Sequence, residues 1–143
     1  MKKTKAKDNA GTLFVRIEHI ALWTEDIERL TAFYSAYFGA AGARLYTNPQ
    51  NGFVSRFLDF GAGTRIELMS TTEIVLERSD PGAQRMGLTH FALAAGSEKQ
   101  VDELTLRLEN DGFTVLHGPR RTGDGCYESV ILDPDGNRIE LIA

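Results

Sequence analysis

Two histidines and two glutamates recur at matched places in this chain. His19 stands in Ile17-Glu18-His19-Ile20-Ala21-Leu22 and His90 in Leu88-Thr89-His90-Phe91-Ala92-Leu93, 71 residues apart (90 − 19). Glu67 and Glu140 occupy identical Arg-Ile-Glu-Leu tetrads, 73 residues apart (140 − 67), each preceded by Leu-Asp and a glycine turn. A neutral imidazole offers a nitrogen lone pair and a carboxylate supplies negative charge, so the four together could hold one divalent cation. Taken singly, a strand histidine is more often packed or hydrogen-bonded, and a strand glutamate is more often solvated. Their joint recurrence favours a shared ligand, because four such groups crowded without one would suffer desolvation and carboxylate repulsion.

Matched offsets in two different motifs imply a duplicated unit of about seventy residues. Residues 13 to 23 alternate as a strand, with Ile20 and Leu22 on one face and His19, Ala21 and Trp23 on the other. Thr24 is expected to cap a helix with Glu25 and Asp26 in its first turn and an apolar stripe of Ile27, Leu30, Tyr34, Tyr37 and Phe38, ended by Gly39 and Gly42. Strands are expected near 43 to 47, 53 to 60 and 64 to 70. After a polar linker at 71 to 86 the order repeats: a strand at 87 to 95, a helix opened by Ser97 with Gln100 and striped by Val101, Leu104 and Leu108, then strands near 113 to 117, 126 to 132 and 137 to 142. The expected class is α+β, with βαβββ written twice in modules 12 to 70 and 87 to 143 of a single domain, after a disordered tail at 1 to 11.

Strand parity sets His19, His90, Glu67 and Glu140 opposite the helix-facing residues, and so on one concave face. The third histidine, His117, precedes Gly118-Pro119, has no repeat partner and reads as an exposed loop residue. No Gly-x-Ser-x-Gly elbow, phosphate-cradling glycine loop or Cys-x-x-Cys is present.

At 143 residues and a formal net charge of −4, the chain suits one soluble domain and is a poor partner for nucleic acid. The basic cluster Lys2, Lys3, Lys5 and Lys7 is followed by no apolar run long enough for a signal peptide or membrane span. The lone Cys126 permits no internal disulfide and agrees with a cytoplasmic location.

The chain resembles the vicinal oxygen chelate superfamily, and within it the bacterial glyoxalase I-like (lactoylglutathione lyase-like) proteins, over about residues 14 to 142. The carriers are the two histidine strands, the Phe33-Tyr34 to Phe38-Gly39 helix motif, and Leu132-Asp133-Pro134-Asp135-Gly136-Asn137-Arg138-Ile139-Glu140-Leu141. The resemblance implies a curled mixed sheet around a metal cleft, and frequently a homodimer in which modules of different chains face each other. It also implies a His, Glu, His, Glu ligand set. His19, Glu67, His90 and Glu140 supply that quartet, whereas dioxygenases and fosfomycin-modifying members use two His and one Glu, bleomycin-binding members lack the ligands, and epimerases carry Gln at the place of Glu67.

The same resemblance implies a glyoxalase I-like lyase using one divalent ion (Ni, Co or Zn ahead of Fe or Mn) for proton transfer on a chelated 2-oxoaldehyde-thiol adduct. Glu140 would be the main base, with Glu67 as ligand and second base. The chain departs from the glutathione-using pattern at Trp23, where those enzymes place an Arg, which points to a different thiol or a bulkier substrate. Trp23, Arg56, Arg120 and Arg121 are the candidate substrate contacts, with Arg65 and Lys99 as further cations. The alternatives are a non-catalytic small-molecule binding or resistance protein, or a dioxygenase or epimerase of the same superfamily.

Overall fold

The computed structural model describes residues 15–76, 80 and 82–143. The expected tail at 1 to 11, the start of the first expected strand and part of the linker lie outside the described residues. The element order is β1 (His19–Trp23), α1 (Ile27–Phe38), β2 (Ala41–Gly42), β3 (Tyr46–Thr47), β4 (Val54–Asp59), β5 (Arg65–Ser70), β6 (Phe91–Ala94), α2 (Glu98–Asn110), β7 (Val115–Arg121), β8 (Tyr127–Leu132) and β9 (Arg138–Ile142).

These strands form two sheets. The first runs β1-β5-β4-β2 with β3 also paired to β4, and the second runs β6-β9-β8-β7. Each is mixed: the histidine strand pairs parallel to the glutamate strand (β1 with β5, β6 with β9), and the remaining pairs are antiparallel. The single expected strand near 43 to 47 is instead two short pieces on either side of Ala43, Arg44 and Leu45. A Cβ on Gly42 would lie 3.1 Å from Thr31 Cγ2 and 3.2 Å from Arg56 Cδ, so a side chain there would have to push both aside by a few tenths of an ångström.

α1 begins two residues later than the sequence suggests. Asp26 is its N-cap, accepting from Arg29 N at 2.9 Å, and Thr24 instead accepts from Asp26 N at 3.1 Å in the approach turn. A carboxylate at the positive helix end outcompetes a hydroxyl for that place. Ser97 caps α2 as expected, accepting from Gln100 N at 3.2 Å.

Leu58, Ile66 and Leu68 of the first sheet, and Ile131, Ile139 and Leu141 of the second, are buried with Leu30, Tyr34, Val101 and Leu108 of the helices. Burying each large side chain contributes about 1.5–3 kcal/mol, so the helix-facing register is fixed. α1 also reaches the second sheet's half of the molecule. Phe33 packs on Phe113 with ring centroids 4.9 Å apart, and the buried Tyr34 hydroxyl donates to Asp133 Oδ2 at 2.9 Å. The halves are thus joined on their helical side, and the opposite face of each sheet is left partly open.

Candidate metal and substrate site

Parallel pairing places each histidine beside its glutamate. β1 and β5 run in register His19↔Arg65 and Ala21↔Glu67, which sets His19 and Glu67 on one face of adjacent strands. The result is His19 Nε2 at 3.5 Å from Glu67 Oε2. In the second sheet Phe91↔Ile139 and Ala92↔Glu140 repeat that relation, and His90, one residue before β6, has Nε2 at 3.2 Å from Glu140 Oε2. Side-chain exposures match as well, 38% and 16% for the first pair and 38% and 19% for the second. The helix-facing neighbours Ile66, Leu68, Ile139 and Leu141 are buried, as the parity argument requires.

Each pair presents one imidazole nitrogen and one carboxylate oxygen side by side, a donor set that suits a borderline divalent cation. His19 carries further support. Its Nδ1 lies 2.5 Å from Glu18 Oε2, and the neutral tautomer that donates Nδ1–H to this carboxylate carries its lone pair on Nε2, on the Glu67 side. Glu18 also accepts from Arg65 Nε at 2.8 Å, and these contacts, His19's first, hold the Glu18 carboxyl below its ordinary value.

The four residues do not gather within one chain. Among the described residues no group of three or more His, Cys, Asp or Glu is arranged to hold a metal ion. The four residues expected on one concave face thus stand as two His–Glu pairs, one on each sheet, each a candidate half-site.

The second half-site opens into a cavity of about 450 Å³ lined by His90, Glu140, His117, Arg120, Glu128 and Arg138, among others. His117 is exposed, as expected, but belongs to a strand rather than a loop. It lies in β7 opposite Val130, which in turn stands opposite Glu140, so all three share a face. Glu128, unnoticed in the sequence, is buried on the same face and lies 3.5 Å from Arg120. The Glu140 carboxyl is pushed above its ordinary value, chiefly by burial and next by the charge of Glu128.

Of the candidate substrate contacts, Arg120 faces this cavity. Trp23 shares the His19 face and sits edge-on to Phe53 at 6.2 Å, beside a separate cavity of about 600 Å³ with Ile74 and Val75. Arg56 and Arg121 face the other way. Arg56 stands opposite the buried Leu68 and donates to Glu28 of α1 at 2.8 Å. Arg121 is bound to Glu98 of α2 and to Gly125 O, with its guanidinium over the Tyr127 ring. Strand alternation makes neighbouring arginines face opposite sides. Arg65 lies over Phe57 at 4.1 Å and is held by Glu18, and Lys99 pairs with Glu103 along α2.

A family model described as Glyoxalase/Bleomycin resistance protein/Dioxygenase superfamily matches residues 16–141. The chain belongs to this superfamily. Relatives of this glyoxalase-superfamily chain include the uncharacterized protein YqjT of Bacillus subtilis (strain 168), 30% identical over 130 residues that cover 89% of this chain and 98% of YqjT. The lactoylglutathione lyase of Salmonella typhimurium is 28% identical and covers 90% of this chain and 92% of its own. The trypanothione-dependent glyoxalase I of Leishmania major has the same fold, with a TM-score of 0.72 at 22% identity over 90% of this chain and 86% of that one. Among the described residues, no helix is long and apolar enough to cross a membrane.

Proposed function

We propose that this superfamily member is a metal-dependent lyase of glyoxalase I type that isomerises a 2-oxoaldehyde-thiol hemithioacetal to an α-hydroxythioester. The observation that carries the proposal is the repeated juxtaposition of histidine Nε2 and glutamate Oε2 on parallel strands in both sheets, at 3.5 Å and 3.2 Å. His19 and Glu67 of one copy and His90 and Glu140 of a second copy would complete one site, which makes the active form a homodimer. A bound Ni²⁺, Co²⁺ or Zn²⁺ would supply Lewis-acid polarisation of the substrate's vicinal oxygens.

The chain's own residues carry the rest. Glu140, held partly out of water and beside Glu128, has a carboxyl more basic than usual, which suits it to take the proton from the thiol-bearing carbon and return it to the adjacent one. Glu67 can serve the opposite face of the substrate. Atoms balance with no co-reactant: one carbon loses the hydrogen its neighbour gains, and the hemithioacetal hydroxyl proton passes to the neighbouring carbonyl oxygen as the C=O bond changes carbon. Trp23 and Phe53 offer an aromatic wall for the bulk of the adduct.

The reading is tested by metal analysis and by turnover of methylglyoxal with a panel of thiols after reconstitution with each cation. One divalent ion per chain is expected, with Glu140→Gln lowering kcat by at least about 100-fold. A protein that binds the adduct equally well after chelation, and turns over none, would instead be a sequestering member of the superfamily.

A further inference from the structure

Glu128 breaks the internal repeat at the point where the second half-site opens. Subtracting the glutamate offset of 73 from 128 gives 55, and position 55 is a serine. The registers agree: Ser55 stands opposite Met69 and Glu128 opposite Ile142, and 142 − 69 is also 73. The two positions are similarly enclosed, at 6% and 8% exposure. The fold is therefore satisfied by a small hydroxyl here. An ionisable carboxyl at so enclosed a place is costly unless it has work to do.

Glu128 has few partners for the capacity it brings. An ionised carboxylate can accept about four hydrogen bonds. Glu128 has Arg120 at 3.5 Å, beyond good hydrogen-bonding distance, and one side-chain hydrogen bond shared with the Glu140 carboxyl, which leaves acceptor capacity over. Both its neighbours on the face and its own carboxyl line the cavity that holds His90 and Glu140. That lining alternates acceptor with donor: Glu128 can only accept when ionised, Arg120 can only donate, and His117 can do either. Hydroxyl groups both donate and accept, and so satisfy such a wall. A methyl group satisfies none of it and would leave a buried carboxylate facing hydrocarbon.

We propose that Glu128 is a specificity-determining residue that accepts hydrogen bonds from substrate hydroxyls, so that the preferred substrate is the thiol adduct of a polyhydroxylated, sugar-derived 2-oxoaldehyde rather than that of methylglyoxal. The proposal rests on the glyoxalase reading of the same site. It adds the chemistry of the group attached to the reacting carbons.

Stable chelators test it without turnover. Calorimetric titration of the metal-loaded protein with arabinonohydroxamate and acetohydroxamate, which share one pair of chelating oxygens, should show the hydroxylated ligand binding about 10–100-fold more tightly. Glu128→Leu should abolish that preference, and Glu128→Gln, which keeps the shape and one acceptor, should retain part of it, both with wild-type metal stoichiometry. In turnover, the kcat/KM ratio of 3-deoxyglucosone to methylglyoxal adducts should fall by a similar factor in Glu128→Leu. Metal uptake with equal affinity for the two hydroxamates overturns this inference alone. Failure of the wild type to take up any divalent metal overturns the glyoxalase reading and this inference with it.

Discussion

Glu140 is asked both to sit partly buried beside another carboxylate and to ionise, and these demands conflict. Its folded-state pKa lies above the unfolded value of 4.5, first through burial and then through Glu128, so the native state holds the proton more tightly than the unfolded one. By linkage, the metal-free protein loses stability as pH rises from about that unfolded value through the raised one, and changes no further from this group above it. Glu140→Gln removes the charge and should raise the melting temperature of the metal-free protein by a few degrees at neutral pH, while metal uptake collapses. Thermal unfolding across pH 4 to 8, with and without the substitution, checks both signs. Glu18 makes a complementary case: Glu18→Gln should weaken metal affinity about 10–100-fold by freeing the His19 ring, measured by competition with a chelator. The His and Glu pairs were legible as sequence because duplication wrote each twice. Glu128 and His117 were not, since each occurs once, although an acid inside the apolar run Tyr127-Glu128-Ser129-Val130-Ile131-Leu132, two residues from Val130, was the available signal.

Elements decide whether those side chains reach the same cavity. β7 must bring both His117 and Arg120 against β8, and its ladder shifts register twice on the way, between Val115 and His117 and between His117 and Arg120. Gly118 sits inside the second irregularity with φ +87°, and a Cβ there would lie 2.7 Å from Glu128 O and 2.8 Å from Ser129 Cα. Gly118→Ala therefore forces backbone against backbone in a conformation that side chains disfavour, at a cost of about 2–3 kcal/mol. The expected outcome is a fall in melting temperature on the order of 5–10 °C and a loss of kcat/KM larger than the loss of metal affinity, because Arg120 and His117 move while His90 and Glu140 keep their places at β6 and β9. The longer strands and both helices could be read from period and punctuation. The break between β2 and β3 and the bulges of β7 could not; at Gly118 the ladder answers to a close approach by the Glu128 carbonyl from a strand distant in sequence.

At the scale of the whole molecule, the sequence pattern could say that two modules exist but not which faces meet. The packing of α1 against the second half, through Phe33 on Phe113 and the buried Tyr34–Asp133 hydrogen bond, is made by residues that serve equally well as core in a lone module. That packing uses the helical side and leaves the His19–Glu67 and His90–Glu140 pairs on separate partly open faces. If two copies complete each other's sites, a chain lacking His19 and Glu67 can rescue one lacking His90 and Glu140. In a two-fold dimer of the two variants, one interface joins both damaged halves and the other joins both intact halves. Random mixing after unfolding and refolding at equal concentration makes about half of the dimers mixed, each with one intact site, so about a quarter of wild-type metal binding and activity should return. Either variant alone should show none. Sites built within one chain give no rescue at any mixing ratio, and light scattering of the same samples separates that result from a failure of the copies to exchange.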